Sequence, residues 1–359
     1  MKKIRYAVVG SGWISQIAFM PSVEQTGNSE MTAIVTGNRA GAEKLAKFYG
    51  IPHIFSYDQY DDMLKQGIVD AVYIALPNSM HADYTIRASE AGVHALVEKP
   101  LAASVEECEA MVAAADKAGV WLMTAYRLHN EPGTIEIIDR IRKGEIGDPR
   151  VFSSLFSFQI TAGNHRLLAE HWGGPLQDLG VYCLNAARHT LGCEPTEAIA
   201  MKSHGDNDPR FTEVEGTIST LLRFPGDRIA HFTVSFGGAD IDQYRVIGSE
   251  GEIAVEPGFR FENTMKMRLS RGGKTIEEKT FPTVDHFSGM TAYFSDCILK
   301  GMRPEPDGGD GLNDVRALLA IEKAAKTGLP QRIVSEQRPN GPSPDMTRIF
   351  PPTEKRLML

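Results

Sequence analysis

The stretch Ile4-Arg5-Tyr6-Ala7-Val8-Val9-Gly10-Ser11-Gly12-Trp13-Ile14-Ser15 decides how the first third of the chain is read. An unbroken, mostly apolar run stops at one glycine, and a second glycine follows where a helical pattern begins. Strands of a parallel sheet, buried on both faces, look like this run. Gly10 allows a tight turn, and Gly12 lets backbone approach a pyrophosphate. The helix beyond them presents unpaired N–H groups and a positive dipole end to an anion. Glycine-rich turns also join strands to helices where nothing binds, so the motif depends on its surroundings. Ser15 stands where the dinucleotide fingerprint places its third Gly or Ala, which predicts slightly wider helix–strand packing.

Outward from this stretch the alternation continues. Strand-like runs at 4–9, 32–36, 71–75, 94–97 and 121–125 enclose helical patterns at 13–25, 40–49, 79–91 and 104–118. Ser104-Val105-Glu106-Glu107 has the form of a capping box. The pattern predicts an α/β domain, a doubly wound parallel sheet of the Rossmann type, over residues 1–127. After Pro132 the texture changes. Helical patterns at 133–143 and 174–191 precede strand-like runs at 217–224, 228–236 and 244–248, joined by Pro225-Gly226-Asp227 and Ser249-Glu250-Gly251. Close spacing with tight turns predicts an antiparallel sheet. With further helices at 290–299 and 310–326, residues 128–338 read as an α+β domain. Residues 339–359 carry five prolines and read as a tail that is mobile or lies on a surface.

The chain has 359 residues, of which 42% are hydrophobic and 23% charged, with a formal net charge of −8. These values fit a soluble globular protein of two domains and exclude collagen, coiled coil or disorder for the whole chain. The negative balance argues against nucleic acid as a partner. No apolar run approaches the roughly 20 residues that span a bilayer, and Tyr6–Val9 is too short for a secretory core. Cys108, Cys183, Cys193 and Cys297 are scattered without a C-x-x-C pair, so a reducing, cytoplasmic setting is expected.

After the second strand-like run comes Val35-Thr36-Gly37-Asn38-Arg39. An NAD site usually carries an acid here for the ribose 2′-hydroxyl, and none is present. Thr36 and Asn38 can donate hydrogen bonds to a 2′-phosphate, and Arg39 can pair with it. NADP is therefore expected in preference to NAD, the alternative being that Arg39 is a solvated residue at a helix start. Glu98-Lys99-Pro100 follows the run at 94–97, at the carboxyl end of the sheet where ligands bind. Proline holds Lys99 in extended backbone; otherwise Lys99 is a surface residue at a strand end.

Asp178, Tyr182, Asn185 and His189 share one face of the 174–191 helix. That face could simply be the wet side of an amphipathic helix. Alcohol oxidation by hydride transfer, however, needs a base for the hydroxyl proton. A phenol near an ammonium such as Lys99 can serve, because the positive charge favours the phenolate. Asp178, one turn away, would orient the hydroxyl or the lysine. His165 and His171 lack a metal-binding spacing, no metal is expected, and no G-x-S-x-G elbow occurs. Cys183 reads as packing.

Together these residues resemble the glucose–fructose oxidoreductase / inositol dehydrogenase family, over about residues 3–333. The carriers are Gly10-x-Gly12, Pro77-Asn78-Ser79-x-His81, Glu98-Lys99-Pro100, Tyr126-Arg127 and Gly173-Gly174-Pro175-Leu176-Gln177-Asp178-Leu179-Gly180-Val181-Tyr182. Tyr182, where many members have His, is similar to the glucose–fructose oxidoreductase branch. The resemblance implies NADP, an aldose or related sugar as substrate, and a large, mostly antiparallel open sheet that makes a homodimer or homotetramer. It implies Lys99, Tyr182 and Asp178 at the reacting hydroxyl, and Asn78, His81 and Arg127 near the nicotinamide. Arg166 would lie by cofactor or substrate, and Tyr57 by the adenosine phosphate. Trp13, Ile14, Gly37, Leu76 and Glu98 complete the expected cofactor set, and Arg127 and Asn185 the substrate set. The branch's basic residue beyond the second strand is absent at Gly41, so Arg39 would replace it. His165-Arg166 stands where Trp-Arg is typical. The function expected is hydride transfer between C1 of a pyranose aldose and NADP, with the NADPH formed able to reduce a second sugar. A family dehydrogenase or ketone reductase acting at another position, or a non-catalytic sensor, are the alternatives.

Overall fold

The structure is a computed structural model that describes residues 2–261, 263–338 and 341–359. The chain forms two compact units, one of Met1–Glu131, Val284–Gly311 and Asp345–Leu359, the other of Pro132–Thr283 and Leu312–Pro344.

The first unit holds six parallel strands, β1 (Ile4–Val9), β2 (Ser29–Val35), β3 (His53–Phe55), β4 (Ala71–Ile74), β5 (His94–Val97) and β6 (Leu122–Thr124). Their order, β3-β2-β1-β4-β5-β6, reverses direction between β1 and β4. Open α/β sheets bind ligands in the crevice at such a switch point, beyond the carboxyl ends of the strands. Val8, Val9, Val35, Val72 and Ile74 are fully buried, as strands covered on both faces require. The helices are α1 (Met20–Gln25), α2 (Arg39–Tyr49), α3 (Tyr60–Lys65), α4 (His81–Glu90) and α5 (Val105–Ala118). Ser104 caps α5 by accepting from Glu107 N–H at 3.1 Å, and Glu107 reaches back to Ala103 N–H, one residue short of a reciprocal box.

The second unit carries α6 (Pro132–Arg142), β7 (Pro149–Gln159), α7 (Val181–Leu191) and β8 (Glu197–Ser203). Six further strands follow, β9 (Thr217–Phe224), β10 (Arg228–Ser235), β11 (Gly237–Gly248), β12 (Gly251–Val255), β13 (Lys266–Arg271) and β14 (Lys274–Thr280). With β15 (Gln331–Arg332) they form a nine-stranded sheet in the order β14-β13-β12-β11-β7-β10-β9-β8-β15. It is antiparallel except where β7 and β10 pair in parallel. Strict alternation places Ile218, Leu222, Phe224, Phe232 and Val246 on the buried face and leaves Ile199, Met201, Leu221, Ile229 and Ile247 on the exposed one.

Helix α8 (His286–Lys300) returns to the first unit, where Ser295 Oγ lies 2.8 Å from both Tyr6 Oη and Ser29 Oγ. Helix α9 (Gly308–Thr327) follows it and belongs mostly to the second unit. The continuous second domain expected over 128–338 is thus interrupted by 284–311. The segment 345–359 of the expected tail also packs on the first unit, because α8 covers one face of its sheet. Residues 339 and 340 lie outside the described residues. No helix of the described residues is long and apolar enough to cross a membrane.

Candidate active site

At the end of β1 the chain turns at Gly10, whose N–H donates to Val35 O at 2.9 Å. Its φ of +94° is open to glycine, and a Cβ there would lie 2.5 Å from Ala75 O. A Cβ on Gly12 would meet nothing within 4 Å, so this backbone faces open space, as a cradle for a pyrophosphate must. The chain is helical from Trp13, with a π-helical turn at Ser15–Phe19 before α1. Trp13 is half exposed, while Ile14 follows it inside the first helical turn. Ser15 explains the departure from the fingerprint: it is fully buried and its Oγ donates to Gly10 O at 2.6 Å. Instead of a spacer it is a stitch between helix and turn.

Beyond β2, Thr36 Oγ1 accepts from Ser11 Oγ at 2.8 Å and from Asn38 N–H at 3.2 Å. Asn38 caps α2 by accepting from Gly41 N–H at 3.0 Å, which leaves its amide NH2 as the donor group. Arg39 is exposed and pairs with Glu43 at 3.3 Å, a surface contact weak enough to yield to a phosphate. The Tyr57 ring packs on Gly37, 3.5 Å from where a Cβ would stand, and burial raises its phenol pKa. The donor set, with a cation and no carboxylate between Val35 and Arg39, fits a 2′-phosphorylated dinucleotide.

His81 lies between the loops after β4 and β5. Its ring is fully buried, with Nε2 2.9 Å from Leu76 O and Nδ1 3.0 Å from Pro100 O. Burial lowers its pKa. The imidazole expected near the nicotinamide therefore lies between two backbone carbonyls and, when neutral, donates its single N–H to one of them. The Lys99–Pro100 peptide is cis. Glu98 accepts from Tyr73 Oη at 2.5 Å, and burial pushes its carboxyl up. Arg127 is 4% exposed and donates to His286 Nδ1 at 3.0 Å. Burial, reinforced by that guanidinium, holds His286 well below its ordinary pKa. Glu98 and Arg127 thus each have a fixed internal partner.

In the second unit, the expected helix over 174–191 is a π-helical turn, Leu176–Gly180, running into α7. Such turns recur where a side chain must be aimed out of regular register. Asp178 lies in this turn, and its Oδ1 meets Arg166 Nε at 3.2 Å. Glu322 of α9 secures the approach by accepting from Trp172 Nε1 at 3.2 Å and Gln177 Nε2 at 2.8 Å. Tyr182, partly exposed in the first turn of α7, has its ring 6.2 Å from both Phe156 and Phe259.

Asn185 does not share this environment. It is 7% exposed, and its amide donates to Asp314 at 3.0 Å, beside the buried Arg188, which holds Asp314 at 2.7 Å and Glu194 at 2.6 Å. It belongs to an interior ionic network, and His189 on the same helix is buried as well. Cys183 is buried, accepts from Ser154 Oγ at 3.3 Å, and its thiol is pushed up to about 12 by burial, consistent with packing.

Sequence reasoning missed Phe156, Phe259 and Asp242. Buried Asp242 accepts from the N–H groups of Gly258, Phe259 and Arg260 at 2.8–3.0 Å, and so fixes the loop that carries Phe259. Only Pro257-Gly258 marks that loop in the sequence, and nothing there links it to Tyr182.

Comparison with known proteins gives a consistent result. A family model described as an oxidoreductase family with an NAD-binding Rossmann fold matches residues 4–126, and a GFO/IDH/MocA C-terminal domain matches residues 134–254. The D-xylose 1-dehydrogenase (NADP(+)) of Haloarcula marismortui is 31% identical over 333 residues, 90% of this chain and 91% of that protein. An aldose-aldose oxidoreductase from Caulobacter crescentus, solved with glycerol, matches with a TM-score of 0.88 at 36% identity, over 92% of this chain and 100% of that one. A 3-ketoreductase from Actinomadura kijaniata, solved with NADP and TDP-benzene, matches with a TM-score of 0.81 at 27% identity, over 90% and 98% of the two chains. With both halves matched, and relatives aligned along nine-tenths of its length, the chain belongs to the GFO/IDH/MocA family of oxidoreductases.

Proposed function

We propose that this protein is an NADP-dependent sugar oxidoreductase that transfers hydride between C1 of a pyranose aldose and the nicotinamide. The observation that carries the reading is the Arg166–Asp178 pair, held on a π-helical turn directly before a partly exposed Tyr182 with an aromatic wall. The relatives named as a xylose 1-dehydrogenase and an aldose-aldose oxidoreductase support C1 as the reacting carbon.

Gly10, Gly12, Trp13 and Ile14 hold the pyrophosphate, and Thr36, Gly37, Asn38, Arg39 and Tyr57 hold the adenosine end. Leu76 and Asn78 follow β4 on the nicotinamide side. When bound, the dinucleotide supplies the hydride acceptor. Tyr182 takes the C1 hydroxyl proton during oxidation and returns it during reduction, and Lys99 assists at the same hydroxyl. Asp178, paired with Arg166, orients the sugar hydroxyl. Phe156 and Phe259 limit water around Tyr182, which strengthens these electrostatic effects. The exposed apolar face of the nine-stranded sheet supports a homodimer or homotetramer through that sheet, which light scattering would measure.

The test is to mix purified protein with NADP or NAD and a panel of aldoses, following nicotinamide absorbance and lactone formation. NADP-dependent reduction with an aldonolactone as product is expected. Reoxidation on adding a second sugar would extend the reading to sugar–sugar exchange. Dinucleotide binding without turnover on any aldose would favour a ketone substrate or a sensor.

A further inference from the structure

The segment 345–359 follows a defined path over the first unit. Arg348 grips Asp296 at 2.9 Å, and Asp285 N–H donates to Phe350 O at 2.9 Å. From there the chain runs back along the first helical stretch. Gln25 Nε2 donates to Pro351 O at 3.1 Å, Lys355 pairs with Glu24 at 2.7 Å, and Leu357 N–H donates to Tyr49 Oη at 3.2 Å. The path reaches the glycine turn through Gln16: Leu359 N–H donates to Gln16 Oε1 at 2.8 Å, and Gln16 Nε2 donates to Ser11 O at 2.7 Å.

The 9%-exposed Gln16 side chain therefore has one end on the strap and the other on the loop. Ser11 C=O and Gly12 N–H belong to one planar peptide, so fixing the carbonyl also fixes the direction of that N–H. Ser11 is held on its other side by its hydroxyl, which donates to Thr36. A loop whose donors are already aimed loses less freedom when an anion binds.

We propose that residues 351–359 form a cofactor-retention strap, and that Gln16 is the positioning residue through which the strap sets the rate of dinucleotide release. This rests on the reading of the Gly10–Gly12 loop as the dinucleotide site. The strap lies along α1 and against the end of α2 at Tyr49, and its hydrogen-bonded link to that loop runs through Gln16. Its loss therefore loosens the loop and leaves the rest of the site's groups in place. Lys355 and the Tyr49 bond hold the strap down, and its last link is a single hydrogen bond. Release, which must break the aimed contacts, is the step it slows, while encounter is little affected.

The experiment is stopped-flow fluorescence of NADPH dissociation and association for the full chain, a chain lacking residues 353–359, Gln16→Leu, and the two changes combined. Each single change is expected to raise the dissociation rate roughly three- to tenfold, the range of one hydrogen bond. Association is expected to stay within about twofold of wild type, because encounter depends on orientation and charge more than on one bond. The combined variant is expected to release no faster than either single change, since both break one chain of contacts. A general loss of structure would instead lower association as well and would add. Gln16→Leu serves alone if the shortened chain does not fold. Unchanged dissociation in Gln16→Leu, or fully additive effects, overturns the proposal. Failure of the full chain to bind NADPH would overturn the reading of the glycine loop, and the strap with it.

Discussion

Replacing Tyr182 with Phe removes one oxygen and leaves the ring between Phe156 and Phe259, each 6.2 Å away. Since ring volume is conserved and the residue is only partly buried, stability is expected to change by less than about 0.5 kcal/mol. Dinucleotide affinity is expected to stay near wild type, because Tyr182 belongs to the second unit and the glycine loop to the first. Under the proposed function, what disappears is the base for the sugar hydroxyl proton. A positioned acid–base group contributes about 10²–10⁴ in rate, which at about 1.36 kcal/mol per decade is about 2.7–5.4 kcal/mol of barrier. The assay is steady-state kcat with NADP and the best aldose, alongside an NADPH titration and a thermal melt of the same preparation. A Tyr182→Phe protein that melts and binds normally and turns over within about threefold of wild type would refute the assignment of Tyr182 as acid–base group.

Arg39→Asp is expected to raise the KM for NADP roughly tenfold or more relative to NAD, the scale of a lost charge-assisted bond; an unchanged ratio would remove Arg39 from the site. Arg188→Met leaves Glu194 and Asp314 buried without a counter-charge, and a loss of about 3–5 kcal/mol in denaturant unfolding is expected, where under about 1 kcal/mol would contradict the network. His286 is held neutral, well below its ordinary pKa, whereas in the unfolded chain it titrates near about 6.5. Between those two values the unfolded state binds the extra proton. Stability therefore falls as pH drops below about 6.5, by up to about 1.36 kcal/mol per unit for this residue. His81 and His94, also lowered by burial, act in the same direction. Melting temperatures across that range should show the slope, and His286→Asn should flatten it; a flat wild-type profile would contradict the buried neutral imidazoles.

The parallel sheet was legible because fully buried strands are continuous apolar runs. β1 and β5 fall on the bounds read from sequence, and β9 does so through its strict alternation. β3 was invisible at three residues, and α3 beside it too short for a helical period. β7 was passed over because Val151-Phe152-Ser153-Ser154-Leu155-Phe156-Ser157-Phe158 mixes serines with aromatics, although it lies at the centre of the sheet. The return of α8 to the first unit rests on Ser288 and Ser295 bonding to Ser22, Tyr6 and Ser29 across some 270 positions of chain. Small polar contacts of that range leave no local pattern.

Within the candidate site, helical spacing overstated what the residues of the 174–191 segment share. The π-helical turn breaks the regular phase between Asp178 and Tyr182, while Asn185, three residues beyond Tyr182 in regular α7, is claimed by burial and donates to Asp314. The glycine turn stands between β1 and the first helical stretch as the sequence suggests, but the roles of Ser15, Gln16 and His81 depend on contacts with backbone carbonyls that sequence does not display.

The measurement that tests the central claim most directly is deuterium transfer. The protein is incubated with NADP and an aldose deuterated at C1, xylose and glucose in parallel, and the nicotinamide and sugar products are examined by NMR. The account predicts deuterium at C4 of the reduced nicotinamide, with the aldonolactone or its hydrolysed acid as the oxidised sugar. Reduced nicotinamide without deuterium, or oxidation at another ring carbon, would contradict hydride transfer from C1.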